Sequence, residues 1–576
     1  MRAVGEWMGR EKQPFSELVR LFFRRFLEND LICLDGDTKP ALVNILALLA
    51  APGVFFPVLE LLAYAAAYQR PFYVRDMASI PEKALYLCFS MTALGIATVL
   101  EWDTLVPDRR DYAVLRPLPL RLGTILAAKI AAVAGFWGIL TLVINAFATV
   151  VFPIAVVQNE GFTTLIRFIG CHALAVLAGN AFIFLAILSV QGLLMNVLGW
   201  RGFRRASPYA QSLLIVALLM MLFTSLTLAG ELLPGRPASS ALRFFPPFWF
   251  VGLYQNELGW TQPIFRELAA QAKLALGIAA VTGVAAFALS YRRHAQRSLE
   301  SLKAGATAPG RLARALTAFT DRVVLRTAGE RASFHFVRQT LLESRKHRGL
   351  LGAWVGVGLA LVSQSLAGLA TSGRPDWWQN PQGALLPAPL VLSFFLLCGM
   401  RYVFTVPAER RANWVFRIAG SADINEYMGG IRKAVILTGI LPLFALLLPV
   451  YVVIWGWRAA SLHILFGCIV AYLLMDVLLA GFAKVPFTCS YVPGKANLKT
   501  CWWLYVGAFA VYFAFFTSFE YLILEQPSRM LWLLIFAAAL KTCTYLYRRH
   551  LEAEDFAIVF DEVPEPAVQT LNIQGF

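Results

Sequence analysis

The chain has 576 residues, of which 58% are hydrophobic and only 15% charged, with a formal net charge of +16. A mean hydropathy of +0.62 is more apolar than a water-soluble fold can hide, so lipid is the expected solvent. The basic excess is spread over many short segments instead of forming one face, which excludes a nucleic-acid-binding surface as its main meaning and marks it as an orientation signal.

The opening region, 1–40, is charged over its first 35 residues and contains an amphipathic stretch, Phe15-Ser-Glu-Leu-Val-Arg-Leu-Phe-Phe-Arg-Arg25, whose spacing predicts an elbow helix lying in the membrane interface. No apolar core with a cleavage site stands there, so the first span is expected to serve as the insertion signal. Crossing roughly 30 Å of hydrocarbon takes about 20 apolar residues. Such runs lie near 41–67, 83–100, 123–152, 163–195, 208–230 and 267–290, forming a first half over 41–291. The linker 292–348 holds thirteen Lys and Arg against four acids and ends in a second amphipathic stretch, Phe334-His-Phe-Val-Arg-Gln-Thr-Leu-Leu-Glu-Ser-Arg-Lys346. Further runs near 349–370, 383–404, 431–455, 459–483, 501–523 and 530–547 form a second half over 349–547, followed by an acidic tail, 548–576.

The expected fold is therefore an all-α polytopic membrane protein with about twelve transmembrane helices in two parallel six-helix repeats. The length of 163–195, and Asp476 within 459–483, leave eleven or thirteen crossings open. An outer segment, Gly230 to Arg266, carries the aromatic, proline-broken stretch Phe244 to Tyr254, which is expected to dip into the outer interface as a hairpin or a partial span. Its counterpart in the second half is shorter, about Ser518 to Arg529. Placing both termini in the cytoplasm puts most of the 51 Lys and Arg residues on the inner side, as the positive-inside rule expects of a multi-pass inner-membrane protein. The cysteines then fall in helices or on the inner side, where disulfides are not expected.

Three features recur in order in both halves. One is the amphipathic stretch before the first span. Another is the inner segment after the second span, Val106-Pro-Asp-Arg-Arg-Asp-Tyr-Ala-Val114 and Val406-Pro-Ala-Glu-Arg-Arg-Ala-Asn-Trp-Val415. The last is Tyr291-Arg-Arg-His294, matched by Tyr547-Arg-Arg-His550 at the inner end of the sixth span. Pro, Arg, Asp and Trp together supply rigid backbone, exposed charge and an aromatic anchor, as a docking element for a cytoplasmic partner requires. The docking candidates are Trp102, Asp103, Pro107, Asp108, Arg109, Arg110 and Asp111 in the first half, and Pro407, Glu409, Arg410, Arg411 and Trp414 in the second. The competing reading makes the arginines topology anchors alone. The acidic tail could lie on the basic inner surface as a docked, strand-like segment.

Ionisable and polar groups within the spans are few. Glu60 and Asp476, with Asn145 and Asn180, are the candidates for a substrate path. Asn145, His172, Asn180 and His463 also read as interhelical hydrogen-bond partners. The chain contains no G-x-x-x-x-G-K-[ST] phosphate loop, nucleophile elbow or metal motif, so no catalytic, cofactor or metal residues are assigned.

With these residues in view, the chain resembles the permease subunits of ABC exporters of the second class, in the fused form that carries two six-helix halves. The likeness is carried by Glu101 to Pro119, Val406 to Arg417, Pro486 to Lys495 and Pro246 to Tyr254. It implies an export permease and not an enzyme, worked by two copies of a separate cytoplasmic ATPase that would hold the ATP and Mg. The elbow helix and the segments 101–121 and 401–429 would then be the docking surface, and cargo would move between the halves or along their seam with membrane lipid. Two other classes remain. An ion-coupled secondary transporter of twelve helices predicts a G-x-x-x-D-R-x-G-R signature that Asp108-Arg-Arg-Asp-Tyr112 lacks, and a lipid-linked membrane enzyme predicts outer carboxylates, for which Glu231 and Glu257 are a thin basis.

Overall fold

Inside a bilayer no water pairs with the backbone, so each crossing segment must close its own hydrogen bonds, and these apolar runs do so as helices. A computed structural model describes residues 14–24, 38–66, 69–102, 122–233, 240–297, 317–371, 385–408, 424–482, 485–488 and 498–553, and among them there is no β-strand. The chain divides into two units, Met1–Gly305 and Ala306–Phe576. Their ends are called inner and outer here by the orientation that charge predicts.

The first unit opens with α1, over 14–24, then α2 (Thr38–Ala66), α3 (Phe72–Ala78) and α4 (Ile80–Leu100). Next come α5 (Leu122–Val157) and α6 (Phe162–Leu228), followed by α7 (Pro246–Glu257) and α8 (Pro263–Arg297). Helix α6 has 67 residues, about 100 Å if straight, but Gly199 at φ 64° breaks it into two crossings. The expected outer dip is α7, whose 12 residues reach about 18 Å and cannot cross. It is wedged among α4, α6 and α8, with Phe248, Phe250 and Tyr254 buried. The approach to α8 is close because residue 252 is Gly: a Cβ there would lie 2.3 Å from Leu268 Cβ.

The second unit comprises α9 (Ala328–Glu343), α10 (Arg345–Thr371), α11 (Ala388–Val403), α12 (Ile424–Val435), α13 (Leu441–Leu478), α14 (Leu498–Glu525) and α15 (Met530–Ala553). A π-turn over Ile436–Ile440 joins α12 to α13, and Gly456 at φ 75° breaks α13 into the third and fourth crossings of this unit.

Ten helices of the described residues are long and apolar enough to span a bilayer. Gly456 divides the longest, and Ala388–Val403 adds a shorter apolar helix, bringing the apolar segments to twelve, six per unit. Their outward faces are apolar: Leu213 is 70% exposed, Val453 84% and Trp532 64%, an arrangement that only lipid accommodates. The repeat extends to order and packing. In each unit an amphipathic helix precedes the first span and packs on the inner start of the third: Leu18 and Phe22 of α1 meet Ala128 and Ala132 of α5, while Phe334, Val337 and Leu341 of α9 meet Met428, Ile431 and Val435 of α12.

Some boundaries differ from expectation. Residues 518–525, read as an outer loop, continue α14, because Tyr521 to Leu524 remain apolar enough to extend the helix. Helix α8 runs six residues into the expected linker, to Arg297, and α15 runs into the expected tail, to Ala553. The strand-like tail itself lies outside the described residues.

Candidate functional site

At the inner end of the second unit, Thr327 caps α9 by accepting from Glu330 N at 3.2 Å, and Glu330 Oε2 accepts from Arg326 N at 2.8 Å. Glu330 Oε1 also receives Lys433 Nζ at 2.6 Å, tying the elbow helix to α12. Burial pushes this carboxyl up, but Lys433 and the backbone N–H groups of Arg326 and Thr327 outweigh burial and hold it below its usual 4.5. A depressed carboxylate stabilises the fold above its unfolded value and loses that contribution as pH falls through the folded one. The hydrogen-exchange protection factor over 328–343, which removes the intrinsic pH dependence of exchange, should therefore hold above pH 4.5 and fall below it; in Glu330→Gln that acid-driven fall should be absent.

The exit of the second span is clamped in both units. In the first, Gln191 Nε2 donates to Trp102 O at 2.6 Å, and Trp102 is fully buried. In the second, His347 Nε2 meets Val406 O at 2.9 Å, and Ser344 Oγ meets His347 Nδ1 at 2.6 Å. A carbonyl can only accept, so Nε2 carries the proton and Nδ1 receives the serine hydroxyl. A second brace comes from the segment after the fourth span: Phe487 N donates to Phe404 O at 3.0 Å, and Ala408 N donates to Phe487 O at 2.8 Å. Phe487 adopts φ 65°, a region that costs a non-glycine residue about 1–2 kcal/mol. Ring contacts with Phe336, His347 and Phe404 hold it there.

Of the predicted docking residues, Trp102 is buried and Pro407 is half-buried beside this brace. Asp103, Pro107, Asp108, Arg109, Arg110, Asp111, Glu409, Arg410, Arg411 and Trp414 lie outside the described residues. What is described is the pedestal from which both repeated segments leave.

The polar residues of the spans fall into separate groups. Asn145 Nδ2 donates to Ser90 Oγ at 2.7 Å and to Thr141 O at 2.8 Å, and Asn180 Nδ2 donates to Ser90 Oγ at 2.8 Å, so these two asparagines join α4, α5 and α6. Glu60 Oε2 accepts from Tyr86 Oη at 2.5 Å. Asp476 is buried and accepts from Arg548 at 2.7 Å, Lys541 at 3.1 Å and Thr544 at 3.0 Å. His172, expected to hydrogen-bond across helices, is instead boxed by Tyr86, Phe152 and Tyr254, and among the described residues neither ring nitrogen has a partner. Ring-to-ring packing on Tyr86, Phe152 and Tyr254 takes the place of that hydrogen bond.

His463 pairs across helices as expected, but its partner Glu520 escaped sequence reasoning, and so did a second buried pair, Asp76 with Lys83. His463 Nδ1 pairs with Glu520 Oε1, both side chains 1% exposed, beneath the rings of Tyr451 and Trp455. At the outer end of the first unit, Lys83 Nζ pairs with Asp76 Oδ1 with both side chains fully buried. Lys83 also donates to Gln255 Oε1 at 3.0 Å, and Trp260 Nε1 donates to Asp76 Oδ2 at 2.5 Å. The faces of Phe168 and Tyr254 cover the ammonium at 4.8 and 4.7 Å. Beside this network, Arg75 Nη2 meets Glu160 at 2.9 Å.

Among the described residues no group of His, Cys, Asp and Glu is arranged to hold a metal, and Cys88, Cys171, Cys398, Cys468 and Cys543 are free thiols. No family model, curated protein or solved structure matches the chain.

Proposed function

We propose that this chain is the membrane-spanning permease of an ATP-driven exporter, providing the path for cargo and docking two copies of a separate cytoplasmic ATPase, which would bind the ATP and Mg. The observation that carries this reading is the duplicated inner pedestal. In both units an elbow helix packs on the start of the third span, and a hydrogen bond clamps the exit of the second. Both braces stand where the repeated Pro-Arg-Arg segments leave the bilayer. A power stroke delivered there needs a rigid seat, since a loose one would dissipate the motion in loop rearrangement.

The test is to purify the tagged chain from its host in mild detergent. A P-loop ATPase is expected at two copies per chain, and reversing the charges of Arg109, Arg110, Arg410 and Arg411 should release it. Retention of the ATPase by that variant would refute the docking assignment.

The buried His463–Glu520 pair favours a second reading, an ion-coupled transporter, because a carboxylate–imidazole pair in a span is a common carrier of protons. Solute movement by the purified chain alone in liposomes, driven by a proton gradient and lost in Glu520→Gln, would establish it.

A further inference from the structure

At the inner ends of three spans in the second unit, positive charge exceeds what the described residues neutralise. Asp476 takes Arg548 and Lys541 as ion-pair partners. Arg432 lies close enough to feel both Asp476 and Arg548, yet it makes no hydrogen bond or ion pair among the described residues, and its Nε is enclosed without a partner. Among the described residues three cations thus share one carboxylate. A half-buried guanidinium in this state is unfavourable unless an anion joins it. The surroundings say what kind of anion. Lys541 rests on the ring of Tyr472 at 4.4 Å, and Tyr472 is 37% exposed, with Val477, Tyr545 and Leu546 also turned outward. A free soluble anion gains nothing from that apolar, lipid-facing border, whereas an amphiphile places its head on the cations and its chains along the border.

We infer that Arg432, Lys541 and Arg548 form a binding site for the phosphate headgroup of an anionic phospholipid. The two arginines suit it because a planar guanidinium can offer two parallel N–H donors to one phosphate. The site is independent of the exporter reading and of any partner ATPase.

The full-length chain would be delipidated in detergent and titrated separately with phosphatidylglycerol and phosphatidylcholine, with bound lipid counted by native mass spectrometry. Phosphatidylglycerol should be retained preferentially. Arg432→Gln should weaken its retention about fivefold, the factor expected for one cation near a membrane surface, and Lys541→Gln by a similar factor. Arg458→Gln, at the outer end, should leave it unchanged. The site is refuted if both lipids bind wild type equally or if Arg432→Gln retains phosphatidylglycerol like wild type. Should Arg432→Gln not fold, Lys541→Gln and the wild-type lipid comparison still decide. Competition by millimolar inorganic phosphate alone would assign the cluster to a soluble anion, and tighter phosphatidylglycerol binding after deletion of 554–576 would assign it to the acidic tail; either result overturns the lipid assignment.

Discussion

Lys83→Met should be among the most damaging single substitutions in the first unit, lowering its stability by about 3–5 kcal/mol, the loss seen when one member of a buried ion pair is removed. The reason is what remains. Asp76 would keep its bond from Trp260 but would face an apolar thioether in place of the ammonium, with no water to replace it. Gln255 Oε1 would lose its donor as well, so the outer helix α7 should come away from the corner between α3 and α4. The measurement is the melting temperature of the purified protein in detergent, with proteolysis between 233 and 263 reporting on the outer segment. A double variant, Lys83→Met with Asp76→Leu, should recover much of the loss, because an apolar pair of similar volume carries no stranded charge. If Lys83→Met melts with wild type, the pair contributes little and α7 is held by its aromatic packing alone.

The second large effect is expected at Gly430. A Cβ there would lie 2.1 Å from Ser333 Oγ and 2.4 Å from Glu330 O, and the latter is backbone that cannot swing aside. Gly430→Val should therefore force α9 off α12 at a cost of about 1–3 kcal/mol, as overpacking of a close helix contact does, and it should also break the Glu330–Lys433 pair. On the exporter reading, partner binding should fall along with stability, whereas Gly429→Ala, which meets only the Glu330 carboxylate at 3.0 Å, should be mild. Copurified ATPase compared at matched folded protein separates the two consequences. Full partner binding by a folded Gly430→Val protein would mean that the elbow helix is not part of the seat.

The spans were legible because about 20 consecutive apolar residues leave a chain few options, and the two elbow helices because apolar residues recur at helical spacing beside arginines. Other features were hidden for identifiable reasons. Gly199 and Gly456 are two among 41 glycines, and nothing local distinguishes a glycine that ends a crossing from one that lets helices approach. Glu520 looked like loop because a single acid near an expected boundary reads as the boundary. Lys83 opens the apolar run 83–100 and so read as its charged rim; Asp76 is only seven residues away, but Gln255, which helps enclose the pair, is 172 residues away, and one-dimensional patterning does not report that burial. The repeated Pro-Arg-Arg segments are the reverse case, conspicuous as text but beyond the described structure, so their seat is known better than they are.

The two left-handed glycines also have a practical side. Where Gly199 and Gly456 join successive crossings, the only break in helical backbone is a single residue, leaving no slack for an epitope, a fluorescent fusion or a protease cleavage sequence. Reporter insertions meant to map sidedness should go into the turn at 158–161 or the one at 526–529, while insertions at 199 or 456 would be read as topology when they had in fact pulled two helices apart.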